Sequence, residues 1–433
     1  MDKLASSPEI IAWNIENSKI LIREAIKKDK IIVFFTRILE DLRTYSSPNF
    51  YGRLKELYIL IEPYDEINNP KIIYQKIRNS SLKSTYGLCL DGEEIGFVKR
   101  FIFLLDEQCK IKSAEKRNAL DEIKIIQEKI IKKYLKNSCD LIEPYILGKL
   151  IASVGSLEKI ARMPSSTIQL IGAEKALFRH LVKKARGPKY GMIYNSPKVR
   201  LSKNPGKSAR QLANQLALNL RIDYFKGFNK INTKECPMMK HLTTAAEGIS
   251  ISKTEIVNAP DAKKSKWLAA VKKGLQILPK ENENILYLGA STGTTTSYIS
   301  NLTKGMVFAV ENSAEMAIPL VNLAQRRDNI APLFCDARNL DYIKKAIFGK
   351  EIDILFQDIP STDQVEILIN ASKLVKKDAM ILFSLKTQSL SHERPEKTFA
   401  LVRQKLIKNF NIINEIALLP FHKKHYFFVL KKK

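Results

Sequence analysis

The sequence predicts a multidomain chain: α-helical arms, an all-α domain, and then an α/β Rossmann-like domain. Three observations predict it. Apolar residues recur at helical spacing over residues 10–135. A compact stretch at 136–227 carries a basic run without acidic residues. From residue 259 onward, apolar strand-like runs alternate with helical ones. A chain of 433 residues is long enough for two or three domains.

In the first region, Leu120, Ile123, Gln127, Ile130 and Tyr134 fall at a/d-like spacing with charges between them. The stretch from Ile20 to Leu42 alternates in the same way, and Pro48, Pro63 and Pro70 mark breaks. Residues 1–135 therefore read as an antiparallel pair of coiled-coil-like arms, with a plain helical bundle as the alternative. Between Arg179 and Arg210 stand ten Lys or Arg residues and no Asp or Glu. Gly187-Pro188, Ser196-Pro197 and Asn204-Pro205-Gly206 break this run into loops, so a basic, loop-bearing surface for nucleic acid is expected within 136–227. Residues 228–258 are polar and weakly patterned, and read as a linker. Over 259–433, strands are expected at Ile285–Leu288, Met306–Val310, Ile330–Phe334, Ile352–Gln357, Met380–Leu385, Ile412–Leu418 and Tyr426–Leu430. That alternation is a doubly wound sheet whose last two strands form an edge hairpin.

A net charge of +27 and an isoelectric point of 9.7 imply a polyanionic partner, most simply nucleic acid. A general surplus of Lys supplies part of that charge as background. With no run of 18 apolar residues and no signal-peptide pattern, a soluble intracellular protein is expected. The cysteines Cys89, Cys109, Cys139, Cys236 and Cys335 are scattered without a C-x-x-C, so neither a zinc site nor a disulfide framework is suggested, and no metal is expected.

The most informative stretch is Ile285-Leu-Tyr-Leu-Gly-Ala-Ser-Thr-Gly-Thr-Thr295. An apolar run ends in Gly289, and a polar turn with Gly293 leads into a helix-like segment. Backbone approaches a ligand closely where side chains are missing. Glu311 ends the next apolar run, about 20 residues on, where a carboxylate accepts hydrogen bonds from ribose hydroxyls. The loop lacks G-x-G-x-x-G and G-K-[ST], which favours S-adenosylmethionine, a ligand without phosphates. Asp358 follows the run Ile352-Asp-Ile-Leu-Phe356 at the mouth where ligands bind in open α/β sheets, and an idle carboxylate there would be costly to bury. Lys386 ends the following strand.

Two families are then recognisable. Gly155-Ser-Leu-Glu-Lys159, Pro164-Ser-Ser-Thr-Ile-Gln169, Gly172-Ala-Glu-Lys-Ala-Leu-Phe-Arg-His-Leu181, Gly206-Lys-Ser-Ala-Arg210 and Arg221-Ile-Asp-Tyr-Phe225 resemble the Nop domain of box C/D ribonucleoprotein scaffold proteins. Ser265-Lys266, the loop at 288–295, Gln325-Arg-Arg-Asp-Asn-Ile330, Asp336-Ala337-Arg338, Phe356-Gln-Asp-Ile359, Asp363-Gln364, Lys386 and the strand of His425 resemble fibrillarin, the 2′-O-methyltransferase of the same particle. The resemblance implies a fusion of scaffold and enzyme. Its fold would be helical arms plus an all-α Nop domain, followed by an α/β Rossmann-like methyltransferase domain dependent on S-adenosylmethionine.

It also implies a tetrad of Lys266, Asp358, Lys386 and His425. In that tetrad Lys386 would accept or orient the 2′-hydroxyl proton, Asp358 would position it, and the other two would support. The cofactor would be held by Gly289, Ala290, Gly293, Thr294, Thr295, Glu311, Asp336, Ala337, Asp358 and Gln364. Of these, Asp336 and Ala337 would face the adenine, and Thr294, Thr295 and Gln364 the methionine. RNA would meet Gly172, Ala173, Glu174 and Lys175 at a helix start, and Arg179, Lys183, Lys184, Lys207 and Arg210 would neutralise phosphates, with His180 structural. The implied partners are a box C/D guide RNA, an rRNA or tRNA target, a small kink-turn-binding protein, and a second copy through the arms. The expected location is cytoplasmic in an archaeal-like cell and nucleolar in a eukaryotic one, with no membrane.

The chain departs from both families. The scaffold's N-terminal docking domain and fibrillarin's β-rich leading segment are expected to be absent, with tethering in place of docking. Two rival readings stand beside this one: a non-catalytic scaffold with an inert methyltransferase half, and a guide-independent RNA methyltransferase.

Overall fold

The computed structural model describes residues 6–26, 29–44, 50–65, 67, 69–79, 87–88, 90, 92–110, 115–228, 260–391 and 394–433. The linker expected at 228–258 lies outside them except at its first position. The chain divides into two compact units, the described residues of Met1–Ala25 with His241–Lys433, and those of Ile26–Lys240.

The first unit is built on a seven-stranded sheet. Its strands are β1 (Ile285–Leu288), β2 (Val307–Glu311), β3 (Ile330–Phe334), β4 (Ile354–Gln357), β5 (Met380–Lys386), β6 (Phe410–Ala417) and β7 (His425–Lys432), in the order β3-β2-β1-β4-β5-β7-β6. The pairs among β1 to β5 are parallel, and β7 is antiparallel to both β5 and β6. β1, β2 and β4 are buried at every position, as unbroken apolar runs are when helices cover both faces. Alternation divides their side chains between two cores, with Leu286, Phe308 and Phe383 on one face and Tyr287, Phe356 and Phe427 on the other. The strand order reverses between β1 and β4, so a crevice opens beyond their carboxyl ends.

The first helix, Ser7–Ala25, packs on this sheet, whereas the sequence grouped it with the arms. Its face of Ile10, Ile11, Asn14, Ser18 and Ile22 is buried. The Asn14 amide donates to the carbonyls of Ile10 (2.9 Å) and Ala346 (3.0 Å). Trp13 stands edge-on to Phe348 at 5.2 Å. β3 is an edge strand, paired with a neighbouring strand on one side only, and this helix covers it. The expected helical stretch from Ile20 to Leu42 is accordingly two helices, the second being Asp29–Thr44.

The second unit is helical. In the helix Glu115–Tyr134, Ile123, Gln127, Ile130 and Tyr134 are all buried, and the side chain of Leu120 lies outside the described residues. The Gln127 amide donates to the Thr36 hydroxyl at 2.7 Å. A Cβ on Gly148 would lie 2.7 Å from both groups, so the helix Pro144–Val154 closes against them only because residue 148 is glycine. Asp223 accepts from the backbone of Ser138 (2.9 Å) and from its hydroxyl (2.6 Å), fastening the end of the long helix Pro205–Ile222. Among the described residues, no helix is long and apolar enough to cross a membrane.

Candidate active site and basic face

The crevice at the ends of β1, β2 and β4 is a cavity of about 390 Å³, within the range of small-molecule sites. Gly289 leaves β1 at φ 87°, and a Cβ there would lie 2.6 Å from the carbonyl oxygen of Asp358, so the loop can pass β4 only as glycine. Gly293, at φ 86°, faces Leu320 and Leu323 and starts the helix Thr294–Ser300. It shapes the loop from behind and does not line the cavity.

At the end of β2, Glu311 is nearly buried. Its Oε1 accepts from the N–H groups of Asn312 (3.0 Å) and Ser313 (2.8 Å), and its Oε2 from that of Ser291 (2.8 Å). Carboxylate oxygens have further acceptor capacity, and this one lines the cavity. Ala290, Thr294, Thr295, Asp336, Ala337 and Asp358 line it as well. Gln364 does not: it is fully buried, accepting from the Lys386 N–H (3.2 Å) and donating to the Lys386 carbonyl (3.2 Å). Its amide is taken up by the backbone of Ser361 and Lys386.

Tyr287 and Arg338 are among the lining residues that were not singled out from the sequence as site residues. Tyr287, buried between β1 neighbours, hydrogen-bonds Thr295, whose hydroxyl donates to that of Ser265 at 2.9 Å. Burial pushes its phenol well above the ordinary value. Arg338 donates to both oxygens of Asp336 (3.0 and 2.9 Å) and to both of Asp363 (2.7 and 2.9 Å). Its guanidinium thus joins the loops after β3 and β4 and holds the Asp363 carboxyl well below the usual carboxylate range.

The four residues expected as a tetrad come from four elements, and of them Lys266 and Asp358 line the cavity while Lys386 and His425 do not. Lys266 begins the helix Lys266–Lys272, and its Nζ lies 3.0 Å from the Asp358 carboxylate. Lys386 and His425 are register partners across β5 and β7. The Nδ1 of His425 lies 2.8 Å from the Lys423 carbonyl, which makes it the donor and leaves Nε2 as the acceptor of the neutral ring. Burial chiefly, and then Lys266, hold this imidazole below its ordinary value, with Asp358 opposing. The arrangement pairs a fixed cation–carboxylate couple with a neutral imidazole beside it, a set suited to orienting a hydroxyl and taking its proton.

In the helical unit, Lys175, Arg179, Lys183, Lys184, Lys207 and Arg210 are all exposed, and the helix Glu174–Lys183 has no buried residue. The Gly172 N–H, counted from the sequence as open for RNA, already donates to the Glu174 carboxylate at 2.7 Å. Ala173 begins this helix without a side-chain cap.

A sheet of this order, with a glycine turn after its first strand and a carboxylate ending its second, defines a Rossmann-like methyltransferase. Residues 230–433 match the fibrillarin family, and residues 106–244 match the Nop family, described as a snoRNA binding domain. The fibrillarin-like rRNA/tRNA 2′-O-methyltransferase of Methanocaldococcus jannaschii is 30% identical over 213 residues, covering 48% of this chain and 91% of that protein. The one from Archaeoglobus fulgidus is 34% identical over 167 residues, 38% of this chain and 79% of that protein. Among solved structures, a fibrillarin/Nop5p complex aligns at 31% identity, covering 40% of this chain and 82% of that one, with a TM-score of 0.38. Aeropyrum pernix fibrillarin with bound S-adenosyl-L-methionine aligns at 28% identity over 39% of this chain and 76% of that one, with a TM-score of 0.35. The chain belongs to the fibrillarin family of 2′-O-methyltransferases and carries a Nop domain ahead of its catalytic half.

Proposed function

We propose that this protein methylates ribose 2′-oxygens of rRNA or tRNA using S-adenosylmethionine, as scaffold and enzyme of a box C/D guide-RNA-directed particle. The observation that carries the reading is the 3.0 Å Lys266–Asp358 pair on the rim of the cavity with His425 held neutral nearby. The residues fit the cofactor: Gly289 leaves room for it, Glu311 would take its ribose hydroxyls, and Asp336 and Ala337 would flank its adenine. When bound, S-adenosylmethionine supplies an electrophilic methyl group on a sulfonium.

The chain's own groups supply the rest. Asp358, fixed by Lys266, would orient the ribose hydroxyl in line with the methyl group. The sequence puts Lys386 first as proton acceptor. The hydrogen bonds favour His425 instead, because its Nε2 has no partner among the described residues and its ring is neutral at pH 7. Lys386, opposite it, would orient the hydroxyl. The exposed basic face would bind guide RNA through phosphates, with sequence choice left to guide–target pairing. Calorimetry with S-adenosylmethionine tests the cofactor. Reconstitution with a guide RNA and a kink-turn-binding protein tests the reaction, and activity without any guide would replace this reading with a guide-independent enzyme.

A further inference from the structure

We propose that His422 is a further positioning residue of this site: it pins the turn that presents Lys266 and stands beside the ring of His425. The inference rests on the functional reading above. His422 lies in the connection between β6 and β7, three residues before His425, yet its bond reaches far back in the chain. Its Nε2 lies 2.9 Å from the carbonyl of Ala262, so Nε2–H is the donor. Ala262 belongs to the 3₁₀ turn Pro260–Lys263, which runs directly into Ser265 and Lys266.

On its other side that segment is already fastened. The Ser265 hydroxyl accepts from the Leu268 N–H at 3.3 Å and from the Thr295 hydroxyl at 2.9 Å. The His422 bond fixes the near side. Lys266 is therefore held between two anchors before its ammonium meets Asp358. Without the near anchor, only the pair with Asp358 and the Ser265 cap would locate it, and a catalytic group misplaced by about 1 Å loses much of its effect.

The second relationship is with His425. The two ring centroids are 5.7 Å apart at 61°, close enough that a charge on one opposes a charge on the other. The charged groups facing His422 are Lys266 and Asp358, with His425 beside it and Lys423 on its own loop. Burial chiefly, and then Lys266, keep the His422 ring neutral, while the carbonyls of Ala262 and Ser265 and the Asp358 carboxylate favour its charged form. When His422 does protonate, His425 becomes harder to protonate, so its Nε2 stays available as a base to lower pH than it would alone.

The test uses two substitutions in the full chain. His422→Leu removes both the anchor and the charge. His422→Gln removes the charge but keeps an N–H donor for Ala262. We expect His422→Leu to lower kcat by about 10- to 100-fold, with the dissociation constant for S-adenosylmethionine little changed, and His422→Gln to recover most of that loss. In both variants the His425 ring, followed by NMR, should titrate at higher pH than in the wild type. Unchanged kcat in His422→Leu, or an unmoved His425 titration in both variants, overturns the proposal. Should the wild type transfer no methyl group at all, the functional reading fails, and the NMR titration still decides whether His422 is coupled to His425.

Discussion

The hydroxyl of Ser18 donates to the carbonyl of Pro332 at 2.9 Å, across 314 positions of sequence. The same hydroxyl accepts from the Phe334 N–H at 3.1 Å. One side chain thus satisfies two backbone groups of an edge strand, and with Ile10, Ile11 and Ile22 it makes the first helix part of the catalytic unit. The unit of residues 26–240 is consequently joined to it at two points of the chain.

Cutting the chain once within 229–259 should therefore not separate the two halves. After cleavage at an engineered protease site there, both fragments should co-elute in size-exclusion chromatography, held by the helix Ser7–Ala25. Ile10→Ala should weaken that association by about 2–5 kcal/mol, the usual range for a buried Ile→Ala change. Fragments that separate cleanly in the wild type would show that the helix does not hold.

Arg338 should govern cofactor affinity more than rate. Its guanidinium joins the Asp336 and Asp363 loops over the cavity, but the side chains are roughly half exposed, so each pair is worth only about 0.2–1 kcal/mol. Arg338→Ala is expected to raise the S-adenosylmethionine dissociation constant about three- to tenfold, with kcat at saturation little altered. Calorimetry beside a saturated rate assay distinguishes this from a chemical role.

Replacing Lys175, Arg179, Lys183 and Lys184 together with Gln should impair guide-RNA binding and leave cofactor binding intact. All four are exposed, so the fold does not depend on them. Every phosphate that goes without its cation should reduce the slope of log K against log salt by about 0.7–0.9. Filter binding across a salt series measures it, and an unchanged slope would identify the run as a solvated face.

The paired histidines give a pH dependence with a definite sign. Both folded rings titrate below the ordinary value of about 6.5. Just below that pH the unfolded chain binds more protons than the folded one, so stability is present above about 6.5 and declines as the pH falls toward the folded values. Urea unfolding of the wild type should show that decline, and the double change His422→Gln, His425→Gln should flatten it.

Much of the fold was legible because apolar runs such as Ile285–Leu288 are buried at every position, and such runs announce central parallel strands. The glycine loop, Glu311 and Asp358 were legible because β1, β2 and β4 end where chemistry must sit. The first helix was not, since an amphipathic face does not say which surface it covers: Ser18 and Asn14 find partners more than 300 positions away. Arg338 stood out only as part of the Asp336-Ala337-Arg338 motif, and its link to Asp363 emerges only where the turns after β3 and β4 meet. Gln364 was placed in the ligand site by the family resemblance, whereas its amide turns inward to the backbone of Lys386. His422 carries no local signal, because its partner is Ala262, 160 positions earlier.

Ribose methylation by this chain is tested most sharply by a single-turnover reaction of the whole protein, assembled with a guide RNA and a kink-turn-binding protein, using S-adenosylmethionine labelled in its methyl group. Label is expected on the ribose 2′-oxygen of the nucleotide chosen by guide pairing, read as resistance of that linkage to alkaline cleavage. In Asp358→Ala that label should fall by about 10²–10⁴-fold with cofactor still bound. Label on a base, or a bound cofactor that transfers nothing in the wild type, would contradict the proposed reaction.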